Sequence, residues 1–236
     1  MTANEKRFAV IRKYEDILGR NKYSQKLRDY CYKKYRDGKY YSDCSSSVSY
    51  AYKEAGYAFG ILNTVGMYQS NKLTDVPVEI ENGIIRNPEV LRIGDMLLFA
   101  GTDSSRAYAG YVGHVEMVAK IENGKITIYG HGSGTPRATE MNAYCKSRQA
   151  KKSDTGLGHR GLIRVRRFIQ EDSGKVFNGL NIAPGSWNVR RGPGKEYPAM
   201  GIVQGGSALE RVELNGWMPV RFNGEVGFVG PSAILG

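Results

Sequence analysis

A thiol works as a nucleophile when its surroundings favour the thiolate and a base can take and return its proton. The chain has three cysteines, Cys31, Cys44 and Cys145. Cys44 follows Ser42-Asp43, a pair that reads as the start of a helix running from Ser45 to about Ala55 and ended by Gly56. At a helix mouth the unpaired N–H groups and the dipole favour thiolate over thiol. The backbone N–H groups of Cys44 and Ser45 would face a developing oxyanion there.

The base is sought among three histidines, His114, His131 and His159. Glu122-Asn123-Gly124-Lys125 is a hairpin-turn signal between two strand-like runs, 114–121 and 125–130. If Asn123-Gly124 is a two-residue turn, the ladder sets Glu116 opposite His131. His114, Glu116, Thr127, Tyr129 and His131 then share one face. His114 is the expected base and His131 the expected orienting partner, with Glu116 the alternative. One more residue in the turn would reverse one strand and separate the histidines. His159 falls outside the hairpin and is read as structural. Cys44 with two histidines lacks a further ligand for zinc, and no CxxC pair occurs, so neither metal nor cofactor is expected.

The elements around these residues form two textures. The first forty residues carry Tyr23, Leu27, Tyr30 and Tyr35 at helix-like spacing, which predicts one or two amphipathic helices. Strands are expected at 96–100, 114–121, 125–130 and 161–168. Helices followed by an antiparallel sheet make the α+β pattern. Gln170-Glu171-Asp172-Ser173-Gly174 is a polar break. Beyond it, short β-type runs at 188–190, 200–203, 208–214, 217–222 and 225–229 alternate with Gly, Pro and Asn, as in a small β-barrel. The expected domains are 1–169 and 175–236.

Hydrophobic residues make up 41% of the chain, enough for a real core. Its longest apolar runs, such as Met96–Ala100, are too short to span a bilayer. The charged N-terminus has no apolar signal region, so the expectation is synthesis in the cytoplasm without a signal peptide. Formal charge is +11, and residues 171–236 carry six basic and six acidic residues, so the excess lies in residues 1–170. Such a surface suits polyanions, including a teichoic-acid-bearing wall. The basic residues form no stripe with interleaved aromatics on one element, which disfavours nucleic acid.

Asp43-Cys44-Ser45-Ser46 resembles the nucleophile segment of NlpC/P60 cysteine peptidases, with Ser46 where Gly is commonest. Leu91–Phe99, Gly113-His114-Val115-Glu116 and Ile128-Tyr129-Gly130-His131 resemble the family's later strands, although the proline before Gly94-Asp95 is missing. CHAP amidases share the papain-like fold and the Cys/His pair. The run Trp187–Gly194, then Gly216-Trp217 and Asn223–Val229, resembles a bacterial SH3 domain.

These resemblances imply a papain-like catalytic domain and an SH3-like barrel that binds the cell wall, with Trp217 offering an aromatic groove. They imply a peptidoglycan hydrolase, endolysin-like and released by a holin, that opens the γ-D-glutamyl–diamino acid bond. In relatives the Asp before the cysteine helps to recognise a free L-Ala amine, a role that would fall to Asp43. The alternatives are an N-acetylmuramoyl-L-alanine amidase of CHAP type and a non-catalytic wall-binding protein.

Overall fold

A computed structural model describes residues 2–102, 112–122, 124–154, 156–170, 176–212, 218–230 and 233. Helix α1 spans Ala3–Glu15, α2 Cys44–Glu54 and α3 Thr64–Gln69. Asn63 caps α3 through the Gly66 N–H. The tyrosine-rich segment that was expected to be helical is not. Lys22–Tyr23 pairs in parallel with Tyr41–Ser42, and Arg28–Tyr30 makes a single 3-10 turn. Its aromatic spacing serves an edge-to-face cluster instead, Tyr30 on Tyr35 at 4.8 Å and Tyr35 on Tyr41 at 6.1 Å.

The main sheet follows. Its strands are β1 (Thr74–Asp75), β2 (Met96–Ala100), β3 (Val112–Glu122), β4 (Lys125–Gly130), β5 (Arg137–Glu140) and β6 (Leu162–Arg167). They lie in the order β1-β6-β2-β3-β4-β5. Helix α4 (Met141–Gln149), which the sequence reading missed, follows β5 and is capped by Glu140. Together the helices and sheets make an α+β fold. One face of the sheet packs Leu97, Phe99, Val118, Ile126, Ile128 and Val165 against Met141 and Cys145 of α4. Each such side chain contributes about 1.5–3 kcal/mol by leaving water. Asp95 does more than turn the chain: buried, it takes the Arg167 guanidinium at 2.7 Å and ties the start of β2 to the end of β6.

The chain divides into two compact units, one of residues 9–121 and 125–168, the other of 1–8, 122–124 and 169–236. The second unit holds a six-stranded sheet of β7 (Val176–Asn181), β8 (Ser186–Arg190), β9 (Ala199–Gln204), β10 (Ala208–Val212), β11 (Met218–Phe222) and β12 (Glu225–Val229). Their order is β7-β10-β11-β12-β8-β9. Ile182, Val189, Val203, Val220 and Val229 form its core. A buried Arg191–Glu225 pair at 3.1 Å and a hydrogen bond from Asn4 to the Val226 carbonyl brace it. Trp217, Asn123 and most of the polar break at 171–174 lie outside the described residues.

Candidate active site

Cys44 is the first residue of α2, and the turn that carries it is built by its neighbours. The Asp43 carboxylate accepts from the Ser46 N–H at 2.7 Å, and Ser46 Oγ accepts from the Asp43 N–H at 2.8 Å. This reciprocal capping box explains why serine serves where glycine is commonest in the resembling segment. The next serines are buried as well and stay satisfied: Ser47 Oγ donates to Ser42 Oγ and Ser49 Oγ to the Leu62 carbonyl. As the first two residues of the helix, Cys44 and Ser45 have N–H groups without an intrahelical acceptor.

His114 arrives at the thiol from a bulge in β3. Phe99 pairs with His114, whereas the next residue, Ala100, pairs with Val112, so Gly113 is the extra residue. A Cβ on Gly113 would stand 2.4 Å from Gly101 Cα, and only glycine permits that approach.

The His114 ring has two kinds of partner. Its Nε2 lies 2.7 Å from Glu116 Oε1 and 2.9 Å from the Tyr144 hydroxyl of α4. Tyr144 also hydrogen-bonds the Glu116 carboxylate. With the Nε2–H given to Glu116, the phenol donates to the same carboxylate. That leaves Nδ1 outside both contacts, and Cys44 is close enough to raise the pKa of the ring. Burial is the largest influence on His114 and pulls its pKa down, but Cys44 and Glu116 outweigh it and set the value at about 9.

Glu116 is buried and lies across Gly130, where a Cβ would meet its Oε2 at 1.8 Å. His131, the expected orienting partner, is elsewhere. Its Nδ1 lies 3.0 Å from Ser42 Oγ and its Nε2 3.3 Å from the Gly134 carbonyl. Burial lowers its pKa, consistent with a neutral ring that holds the segment before Cys44. The expected shared face fails for a geometric reason. Ile126 and Ile128 enter one core with Leu97, Phe99 and Val118, so the even-numbered residues of β4 share the face of His114 and Glu116. Tyr129 points instead to Tyr14, with ring centroids 5.6 Å apart.

Asp43 and Ser45 stand beside the thiol, but their side chains are occupied. Ser45 Oγ donates to Asp43 Oδ1 at 3.1 Å and accepts from Arg28, whose Nε lies 3.6 Å from Asp43 Oδ2. Arg28 was not foreseen, since nothing near it in the chain marks it. His159 accepts the Gly161 N–H, away from the site. Burial pushes the other two thiols, Cys31 and Cys145, up to about 12. Among the described residues no group of His, Cys, Asp and Glu is placed to hold a metal ion.

Two hollows flank the Cys44–His114 pair and share Gln25, Val112 and Gly113. One, of about 270 Å³, holds Cys44, Asp43, Ser45 and Arg28. The other, of about 380 Å³, is lined by His114, Tyr23, Tyr144, Arg137, Arg148 and Lys151. The arrangement suits nucleophilic acyl transfer.

No protein-family model matches the sequence, and no curated protein matches it. Among solved structures, the crystal structure of Ly7917 is 12% identical, with coverage of 98% of this chain and 92% of that one and a TM-score of 0.37. The same protein "with the hydrolyzing product of MDP" aligns at a TM-score of 0.36, with 12% identity and coverage of 96% and 92%. NlpC2 from Trichomonas vaginalis is 9% identical over 61% of this chain and 44% of its own, at a TM-score of 0.23. Likenesses this distant carry no weight in reading the site.

Proposed function

We propose that the chain is a peptidoglycan hydrolase that opens an amide of the stem peptide, the γ-D-glutamyl–diamino acid bond, by thiol chemistry. One observation carries the thiol chemistry: the buried His114 ring, held 2.7 Å from the Glu116 carboxylate, has a pKa raised to about 9 by Cys44 and Glu116 against its burial, while the substrate follows from the resemblance.

In this reading the Cys44 thiolate attacks the carbonyl carbon, and the carbonyl π electrons move to oxygen. The N–H groups of Cys44 and Ser45 stabilise that oxyanion. Collapse breaks the C–N bond, and the His114 proton goes to the departing amine, leaving a thioester. Neutral His114 then takes a proton from water, whose oxygen displaces the Cys44 sulfur and releases the acid. Glu116 acts through His114 by fixing its tautomer and stabilising its charge, the part first assigned to His131. The second unit, by its resemblance to bacterial SH3 domains, holds the protein to the wall.

The test is digestion of defined peptidoglycan followed by mass spectrometry of the fragments. New diamino-acid amines with matching γ-glutamyl acids support the assignment. Release of L-alanyl termini from muramic acid would make the chain an amidase instead. No cleavage, or full cleavage by Cys44→Ala protein, would remove the thiol mechanism.

A further inference from the structure

The two hollows beside the reacting pair differ in charge. In the Cys44 hollow, Arg28 and Asp43 face each other and cancel. The His114 hollow contains Arg137, Arg148 and Lys151, and no carboxylate lines it among the described residues. Arg148 is half-buried, held by the carbonyls of Arg160 and Ala100 and by the face of Phe99, 5.6 Å from its guanidinium carbon. Those neutral partners orient the cation without cancelling its charge. Arg137 and Lys151 are exposed, with no side-chain partner among the described residues. Burial is the largest influence on Arg148 and lowers its pKa; Glu116 opposes it from a distance, but that carboxylate is already engaged by His114.

We infer that the His114 hollow is the seat of the departing fragment and that it binds free carboxylates on that fragment through Arg137, Arg148 and Lys151. This rests on the thiol acyl-transfer reading above. There the acyl half stays on Cys44, and the departing amine collects its proton from His114, so the departing half lies on the His114 side. A volume of about 380 Å³ falls at the small end of ligand sites and suits one amino acid or a short peptide. Three cations disfavour a fragment whose only side-chain charge is positive. They favour a diamino acid with two carboxylates over one with a single carboxylate, and they disfavour the amidated forms. Arginine forks and a lysine give charge-assisted hydrogen bonds to carboxylates.

The experiment compares L-alanyl-γ-D-glutamyl-meso-diaminopimelate with the same peptide amidated at both diaminopimelate carboxylates. Binding is measured calorimetrically on the full-length Cys44→Ala protein, so that turnover is not needed. The acid form is expected to bind about 10-fold or more tightly than the amide, as loss of one charged contact predicts. Arg137→Ala/Lys151→Ala, in the same background, brings the ratio towards one, and 0.5 M salt narrows it. Circular dichroism checks that the double variant is folded, and Lys151→Ala alone provides a milder second variant. Equal binding of the two peptides, no detectable binding of either, or a ratio untouched by the variants overturns the inference. If the protein with Cys44 intact cleaves neither peptide, the hydrolase reading fails, while the binding ratio still decides the hollow.

Discussion

The Glu116 carboxylate rests where the side chain of Gly130 would be, and from there it reaches His114 Nε2 at 2.7 Å. The pair ties the chemistry of β3 to a missing side chain on β4. Glu116→Gln removes the charge and keeps the shape. We expect kcat/KM to fall about 10- to 100-fold, the worth of one charge-assisted hydrogen bond. The alkaline limb of the pH–rate profile, set near 9 by His114, should move to lower pH, because burial then meets less opposition. A limb that stays in place would show that Glu116 does not act on the imidazole.

Gly130→Ala tests the same relationship from the other strand. The new methyl must displace Glu116, so activity should fall about as far as in Glu116→Gln. Overpacking should cost about 1–3 kcal/mol in denaturant titration. Full activity in a folded Gly130→Ala protein would mean that Glu116 works from another position.

Thiol labelling separates the cysteines. With Cys31 and Cys145 buried and pushed up to about 12, one equivalent of iodoacetamide at pH 7 should mark Cys44 alone. Peptide mapping checks the position. Cys44→Ser should lose activity on the order of 1000-fold or more.

Asp43 caps α2, and the resemblance implies a second duty, recognition of an amine, that can be tested apart from the first. Asn caps helices as well as Asp does, so Asp43→Asn should lose only what the Arg28 pair contributes, whereas Asp43→Ala should lose about 1 kcal/mol more. If the carboxylate also recognises a substrate amine, the Asn variant will show a raised KM for peptides with a free N-terminus and none for acetylated ones. Equal KM changes on both would leave the cap as its whole role.

His131 makes stability depend on pH on the acid side. Its folded pKa is lowered, chiefly by burial, below the ordinary 6.5. Between those two values the unfolded chain binds more protons than the folded one, so stability rises with pH across that window and is lost as pH falls below 6.5. Urea midpoints at pH 7.5 and 5 should differ less in His131→Gln than in the unaltered protein.

Much of this site could be read before the structure because its signals are local. Ser42-Asp43 announce a helix start next to Cys44, and β2 and β4 begin and end where their apolar runs do. Which residue stands beside His114 was harder, since it depended on the register of one hairpin, and one residue of register moves every side chain to the other face. Gly130 carried an unread hint, as a strand residue with no side chain beside a charged neighbour. Tyr144 and Arg28 gave none: each reaches the site from a distant segment, and no spacing rule connects them to Cys44. The tyrosines of residues 23–41 misled for the opposite reason, because aromatic clusters in irregular chain can imitate a helical period.

The Asp43 carboxylate caps the turn of α2 whose first residue is Cys44, so in the proposed reading assembly of that turn and placement of the thiol are a single event. A chain caught part-way through folding, or frayed at that end by heat, would carry its thiol disarmed.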